Sequence, residues 1–212
     1  MPLPPPRPAT PADQDAAGDV AYDTGFFGAG AQTYFPSRPL FRLLWTAPYF
    51  QGAGHGCFVA PSRDAATLAG YIVGARDPAL YRRTLARLVL TGMWRAARPP
   101  SALPTSLTYL WRAARHPGPH APEDRFPAHL HINLRPEARG AGLGDALLEA
   151  HLHVLRAANV PGVQLSTTTE NRAALRLYRR HGFTVTERRL SALWTPWLGH
   201  PAEHVVLTLR LP

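Results

Sequence analysis

Residues 139–144 read Arg-Gly-Ala-Gly-Leu-Gly, between an alternating apolar stretch and a long amphipathic one. Glycines let a backbone approach a ligand closely, and the first amides of a helix are unpaired donors at the positive end of its dipole. That combination suits a phosphate, which makes Arg139, Gly140, Ala141, Gly142, Leu143, Gly144 and Asp145 candidate anion-binding positions. Glycine also serves merely to bend a strand into a helix, so the turn alone does not decide between the two.

The flanking elements must hold this turn in place. Upstream, Leu130, Ile132 and Leu134 alternate with His129, His131, Asn133 and Arg135, the pattern of a strand with one apolar and one polar face. Downstream, Leu143, Leu147, Ala150, Val154 and Ala158 recur at helical spacing. A further strand is expected over residues 162–168. Asn171 then caps a helix with Ala174, Leu177, Tyr178 and His181 on one stripe, closed by Gly182. Residues 183–188 and 205–211 read as strands, with Trp194 and Trp197 in a loop between them. Earlier, a helix is expected over 12–22, capped near Thr10. Two strands at 56–59 and 68–73 form a hairpin through a turn at 61–64, and helices follow over 79–97 and 106–115. Residues 25–56 read as loops with a short helix, and 117–127 as a loop.

The turn and the Asn171-Arg-Ala-Ala-Leu-Arg-Leu-Tyr178-Arg-Arg-His-Gly182-Phe183 motif, in this order and spacing, resemble the GNAT family of acetyl-CoA-dependent N-acetyltransferases. The close match covers residues 126–187, and residues 7–13 look like the family's first strand and helix. The resemblance implies an α/β (α+β) fold with a mixed, mostly antiparallel central sheet splayed between the fourth and fifth strands and helices on both faces. It implies acetyl-CoA as cofactor, its pyrophosphate on the amides of residues 139–145. Ile132, Asn133 and Leu134 would pair with the pantetheine arm through their backbone, an oxyanion donor lying near Asn133 or Leu134. Asn171 would bond the cofactor near its thiol end, and Tyr178 would donate a proton to the departing thiolate.

The base is less determined. Some family members carry a glutamate five positions before the asparagine, where this chain has Ser166, which cannot serve. His129 and His131 are the substitutes, since an imidazole with a pKa of about 6.5 accepts a proton at neutral pH. Their His-Leu-His pattern resembles the paired histidines of arylalkylamine N-acetyltransferases, but counted back from Arg139 it is displaced by one residue, which on a strand is the opposite face. Residues 127–134 most resemble the acetyltransferase-like domain of O-GlcNAcase and its free-standing bacterial relatives, which commonly have aspartate at the position of Asn133. An amide cannot act as a base, so a cofactor-binding protein without turnover stands as the alternative.

Composition bounds the rest. The 212 residues suit one domain, with a flexible proline-rich tail at 1–6 and a variable segment at 77–126 on the acceptor side. The acceptor pocket is expected between that segment and residues 25–49, with Trp45, Tyr49, Trp94, Tyr109, Trp111 and Trp194 as candidate walls. Net charge is +9, and the 23 basic residues are all arginine. The arginines of residues 82–115 read as a solvated face, and no zinc pattern, basic dimer helix or RRM signature supports nucleic acid. The cradle lacks the lysine of a P-loop. No apolar run approaches the length of about 18 residues that spans a bilayer, and the expected compartment is the cytoplasm. Cys57, the one cysteine, cannot form an internal disulfide, and no ligand cluster suggests a metal. The expected partner is a small primary amine, with neither nucleic acid nor membrane; a homodimer is left open.

Overall fold

The residues around Leu130 form a strand, β4 (Ala128–Leu134), whose Leu130, Ile132 and Leu134 join the main core. Strand alternation turns His129, His131 and Asn133 to the other face. The structure, a computed structural model, describes residues 3–63 and 65–212. To β4 the chain adds β1 (Arg7–Pro8), β2 (Phe58–Pro61), β3 (Leu68–Ala75), β5 (Gly162–Thr168), β6 (Thr184–Ser191) and β7 (Ala202–Arg210). They make one seven-stranded sheet in the order β1-β2-β3-β4-β5-β7-β6. All neighbours are antiparallel except β4 and β5, which pair only at Ala128↔Val163 and His129↔Gln164. Beyond those residues the two strands part, so the sheet opens between its fourth and fifth strands.

That opening leaves backbone groups in need of partners. The Arg135 amide donates to the Ala69 carbonyl at 2.9 Å. By antiparallel alternation, Asn133 and His131 then spend their backbone groups on β3, while Ile132 and Leu134 turn theirs into the opening.

One face of the sheet is covered by α5 (Leu143–Ala157) and α6 (Arg172–Arg180), which share a core with Ile72, Leu130, Val205 and Leu207. The other carries α1 (Gln14–Thr24), α2 (Arg38–Trp45), α3 (Pro78–Ala96), α4 (Leu103–Arg115) and the single turn α7 (Thr195–Leu198). Its core is aromatic, with Tyr34, Phe35, Phe41, Tyr71 and Trp194. α1 is fixed by charge: Asp23 accepts from Arg135, just after β4, at 2.9 Å and from Arg38 on α2 at 2.8 Å. No helix among the described residues is long and apolar enough to cross a membrane.

Several expectations need correction. Met1 and Pro2 of the tail, and Asp64 of the hairpin turn, lie outside the described residues, and Leu3 is no free tail residue but packs on the main core. The buried stripe of α5 runs through Leu148, His151, Leu152 and Leu155 rather than Ala150, Val154 and Ala158. Its centre is a histidine, which polarity assigns to solvent; here His151 Nδ1 bonds the Gly56 carbonyl at 2.7 Å. Trp194 stands in the turn before α7 and belongs to the aromatic core, while Trp197 lies within α7 rather than in a loop.

Candidate active site

The glycine turn is built for close approach. Gly140 and Gly142 have φ of +80° and +75°, a region that costs an L-residue about 1–2 kcal/mol. A Cβ at either would meet no heavy atom within 4 Å, so the space in front of the turn is open. Gly142 is the N-cap of α5, whose first amides therefore face this space without intrahelical partners. At Gly144, by contrast, a Cβ would stand 3.4 Å from both Leu134 and Leu177, so α5 packs tightly on β4 and α6.

Three side chains frame the cradle. Arg139 donates to the Leu134 carbonyl at 3.0 Å and to that of Gly28 at 2.8 Å, tying the turn to the loop after α1. Arg180 and His181, at the end of α6, hold the Asp145 carboxylate at 2.9 and 3.0 Å. Burial alone would raise the Asp145 pKa; hydrogen bonds from His181 and Arg180 outweigh it and lower the value. A carboxylate beside an anion site would repel its guest, and this pairing removes that cost.

From the cradle a cleft of about 300 Å³ runs along Leu134 and Leu177 to the opening of the sheet. It adjoins a second cavity of about 270 Å³. Thr24, Phe27, Ile132, Asn133 and Asn171 line both. Asn171 caps α6 by accepting from the Ala174 amide at 3.3 Å, which leaves its NH2 group for the cleft. Tyr178 lines the second cavity with its ring 5.6 Å from that of Phe183. Burial drives its phenol pKa well above the ordinary value, so the proton stays on Oη at neutral pH.

Asn133 is placed differently from expectation. Its Oδ1 accepts from Tyr71 Oη at 3.0 Å and its Nδ2 donates to Thr24 Oγ1 at 2.8 Å, so the side chain is consumed in tying β4 to β3 and α1. Its backbone pairs with Tyr71 of β3, leaving Ile132 and Leu134 as the residues that offer backbone groups to the opening. Asn133→Ala would strand the Tyr71 hydroxyl, whereas Thr24 Oγ1 keeps its bond to the Val20 carbonyl at 2.6 Å, and a loss of about 1–3 kcal/mol in urea unfolding is expected.

The histidines are neutral. His129 Nε2 bonds Tyr49 Oη at 2.9 Å, and burial, with the charge of His131 next, pushes its pKa down to about 3. His131 lines the second cavity, and desolvation lowers its value to about 4. His151 falls to about 4, also by burial. The unfolded chain takes up these protons near pH 6.5 and the folded chain only near 3 to 4. Stability should therefore be fully present above pH 6.5 and fall as pH drops from there toward 4, as urea midpoints at stepped pH would show.

Of the expected wall, Trp45, Tyr109 and Trp194 line the second cavity. Tyr49 instead supports His129, and Trp94 and Trp111 point outward, at 64% and 60% exposure. Phe27 and Gly28 fall within the expected wall at residues 25–49, whereas sequence inspection missed Thr24, Arg180 and His204. Only Arg180 left a trace, as a basic residue ending the Asn171 helix; the others arrive from elements whose packing carries no local signal.

The acetyltransferase (GNAT) family model matches residues 31–183, well over half of the chain. The chain belongs to the GNAT family. GNAT proteins use acetyl-CoA. Among curated GNAT relatives, the mycothiol acetyltransferase of Streptomyces griseus is 40% identical over 65 residues, which are 31% of this chain and 21% of that protein. The chain thus spans about a fifth of the length of that relative. Among solved structures, SsHAT is 26% identical, superposes with a TM-score of 0.64, and is matched over 98% of each chain. The GNAT phosphinothricin acetyltransferase of Sinorhizobium meliloti, in complex with acetyl-CoA, shares the fold at 16% identity and a TM-score of 0.61, over 100% of this chain and 89% of that one.

Proposed function

We propose that this GNAT protein transfers the acetyl group of acetyl-CoA to the primary amine of a small molecule by direct attack in a ternary complex. One observation carries the reading: a left-handed glycine turn at a helix N-terminus opens onto a cleft that continues, past Asn171, to a cavity lined by a protonated tyrosine. Acetyl-CoA supplies an activated thioester, and the residues present fit it. The amides of residues 140–145, with Arg139 and Arg180, suit a diphosphate. Ile132 and Leu134 offer strand edges to an extended arm, and one of their amides is the fixed donor for a carbonyl oxygen in the opening. Tyr178 holds at Oη the proton that a leaving sulfur requires, and Asn171 orients the group beside it.

His131 and His129, neutral throughout the physiological range, accept from an amine only as weak bases. We therefore expect kcat/KM to rise with pH toward the acceptor's own pKa with no inflection near 6.5. A pH–rate profile with an acid limb at 6.5 would place an ordinary histidine in charge.

The variable segment at 77–126 and the loop after α1 form the acceptor side, within one GNAT domain. The likeness of residues 127–134 to the O-GlcNAcase-type domain is a finer proposal. The relative matched is a mycothiol acetyltransferase, a name that favours a small acceptor over a protein. The second reading, binding without turnover, is favoured by two features: Ser166 stands where a carboxylate base would, and the Asn133 amide is already spent. Thiol release from acetyl-CoA across an amine panel separates the two. Sustained release supports transfer, and tight binding without release supports the second.

A further inference from the structure

The cavity beside Tyr178 contains two polar groups with no protein partner. Thr168 on β5 and His204 on β7 stand directly opposite each other, and both line it. They are 4% and 7% exposed, and neither Thr168 Oγ1 nor His204 Nε2 makes a hydrogen bond among the described residues. A buried donor or acceptor left without a partner is destabilising, and a fold rarely tolerates two at one cross-strand position without return. Ser166, two residues back on the same face, adds a third polar group to this wall. Trp45, Tyr109 and Trp194 also line the cavity, and no carboxylate among the described residues does. Burial lowers the His204 pKa, so the imidazole is neutral and offers one donor and one acceptor.

We propose that Thr168 and His204 form the specificity subsite of the acceptor, taking a neutral hydrogen-bonding substituent, a hydroxyl or carboxamide, on an amine whose body is apolar. The amine itself rests on the acetyl-transfer reading; the subsite does not. A polyamine is disfavoured, because its second ammonium would be desolvated with no counter-charge.

Calorimetric titration of the CoA-loaded protein tests this without requiring turnover. The probes are 2-amino-1-phenylethanol, its isostere 2-phenylpropylamine with methyl for hydroxyl, and 1,4-diaminobutane. The hydroxylated amine should bind at least about tenfold more tightly than the isostere, the scale of one hydrogen bond. Thr168→Val, close to isosteric, and His204→Phe should each shrink that ratio toward one while leaving CoA affinity unchanged, which also verifies folding. Equal binding of the first two amines, tightest binding of the diamine, no binding of any, or a ratio untouched by both substitutions would overturn the subsite. Tight, hydroxyl-selective binding with no thiol release from acetyl-CoA would instead count against acetyl transfer and leave the subsite standing.

Discussion

Replacing Tyr178 by phenylalanine should lower kcat by about 10²–10⁴-fold, the usual yield of a positioned general acid, with acetyl-CoA affinity unchanged. The substitution is clean for a structural reason. Burial alone shifts this phenol, with no hydrogen bond contributing, so removing the hydroxyl strands no partner and keeps the ring against Phe183. Stability should hold or rise slightly. Because a leaving thiolate needs its proton only as the carbon–sulfur bond breaks, the loss should appear in kcat and kcat/KM alike rather than in KM. Thiol release under saturating amine reads this directly. A variant that turns over like the parent would remove Tyr178 from the chemistry and make its burial a matter of packing.

The second large effect lies at the other end of the cleft. Gly142→Val forces a β-branched residue to φ +75° and projects its side chain into the open space before the α5 amides. In the unliganded protein a Cβ there meets no heavy atom within 4 Å, so its stability should fall chiefly by the backbone strain, about 1–2 kcal/mol. A bound diphosphate meets both the strain and the side chain. Acetyl-CoA affinity should therefore weaken by at least about tenfold, or 1.4 kcal/mol, in calorimetric titration. Gly142→Ala, with less to project, should fall between the two. Equal affinity in all three would mean that the turn bends the chain and does nothing more.

The contrast between these sites shows what a sequence can carry. The cradle was legible because φ above zero demands glycine and an amphipathic repeat marks the helix behind it. Asn171 and Tyr178 were legible because cap and stripe lie on one helix. Asn133 was not: its side chain is claimed by Tyr71 and Thr24, which are remote in sequence and come together only when α1 docks on the sheet through Asp23 and Arg135. The histidines illustrate a related limit, since their types predict ordinary bases and only burial shows them depressed to about 3 and 4. His151 shows the same limit, a polar side chain buried on the core stripe of α5 with its Nδ1 bonded to the Gly56 carbonyl. The insertion of β7 between β5 and β6 likewise has no local signature, yet it is what sets His204 opposite Thr168.

The central claim is that one molecule of acetyl-CoA spans both ends of this cleft, and a structure of the protein with acetyl-CoA bound tests it most directly. The diphosphate oxygens should lie within hydrogen-bond distance, about 3 Å, of amides in residues 140–145, with the sulfur within reach of Tyr178 Oη. A diphosphate seated elsewhere, or a thioester on the far side of β4 from Tyr178, would contradict the account.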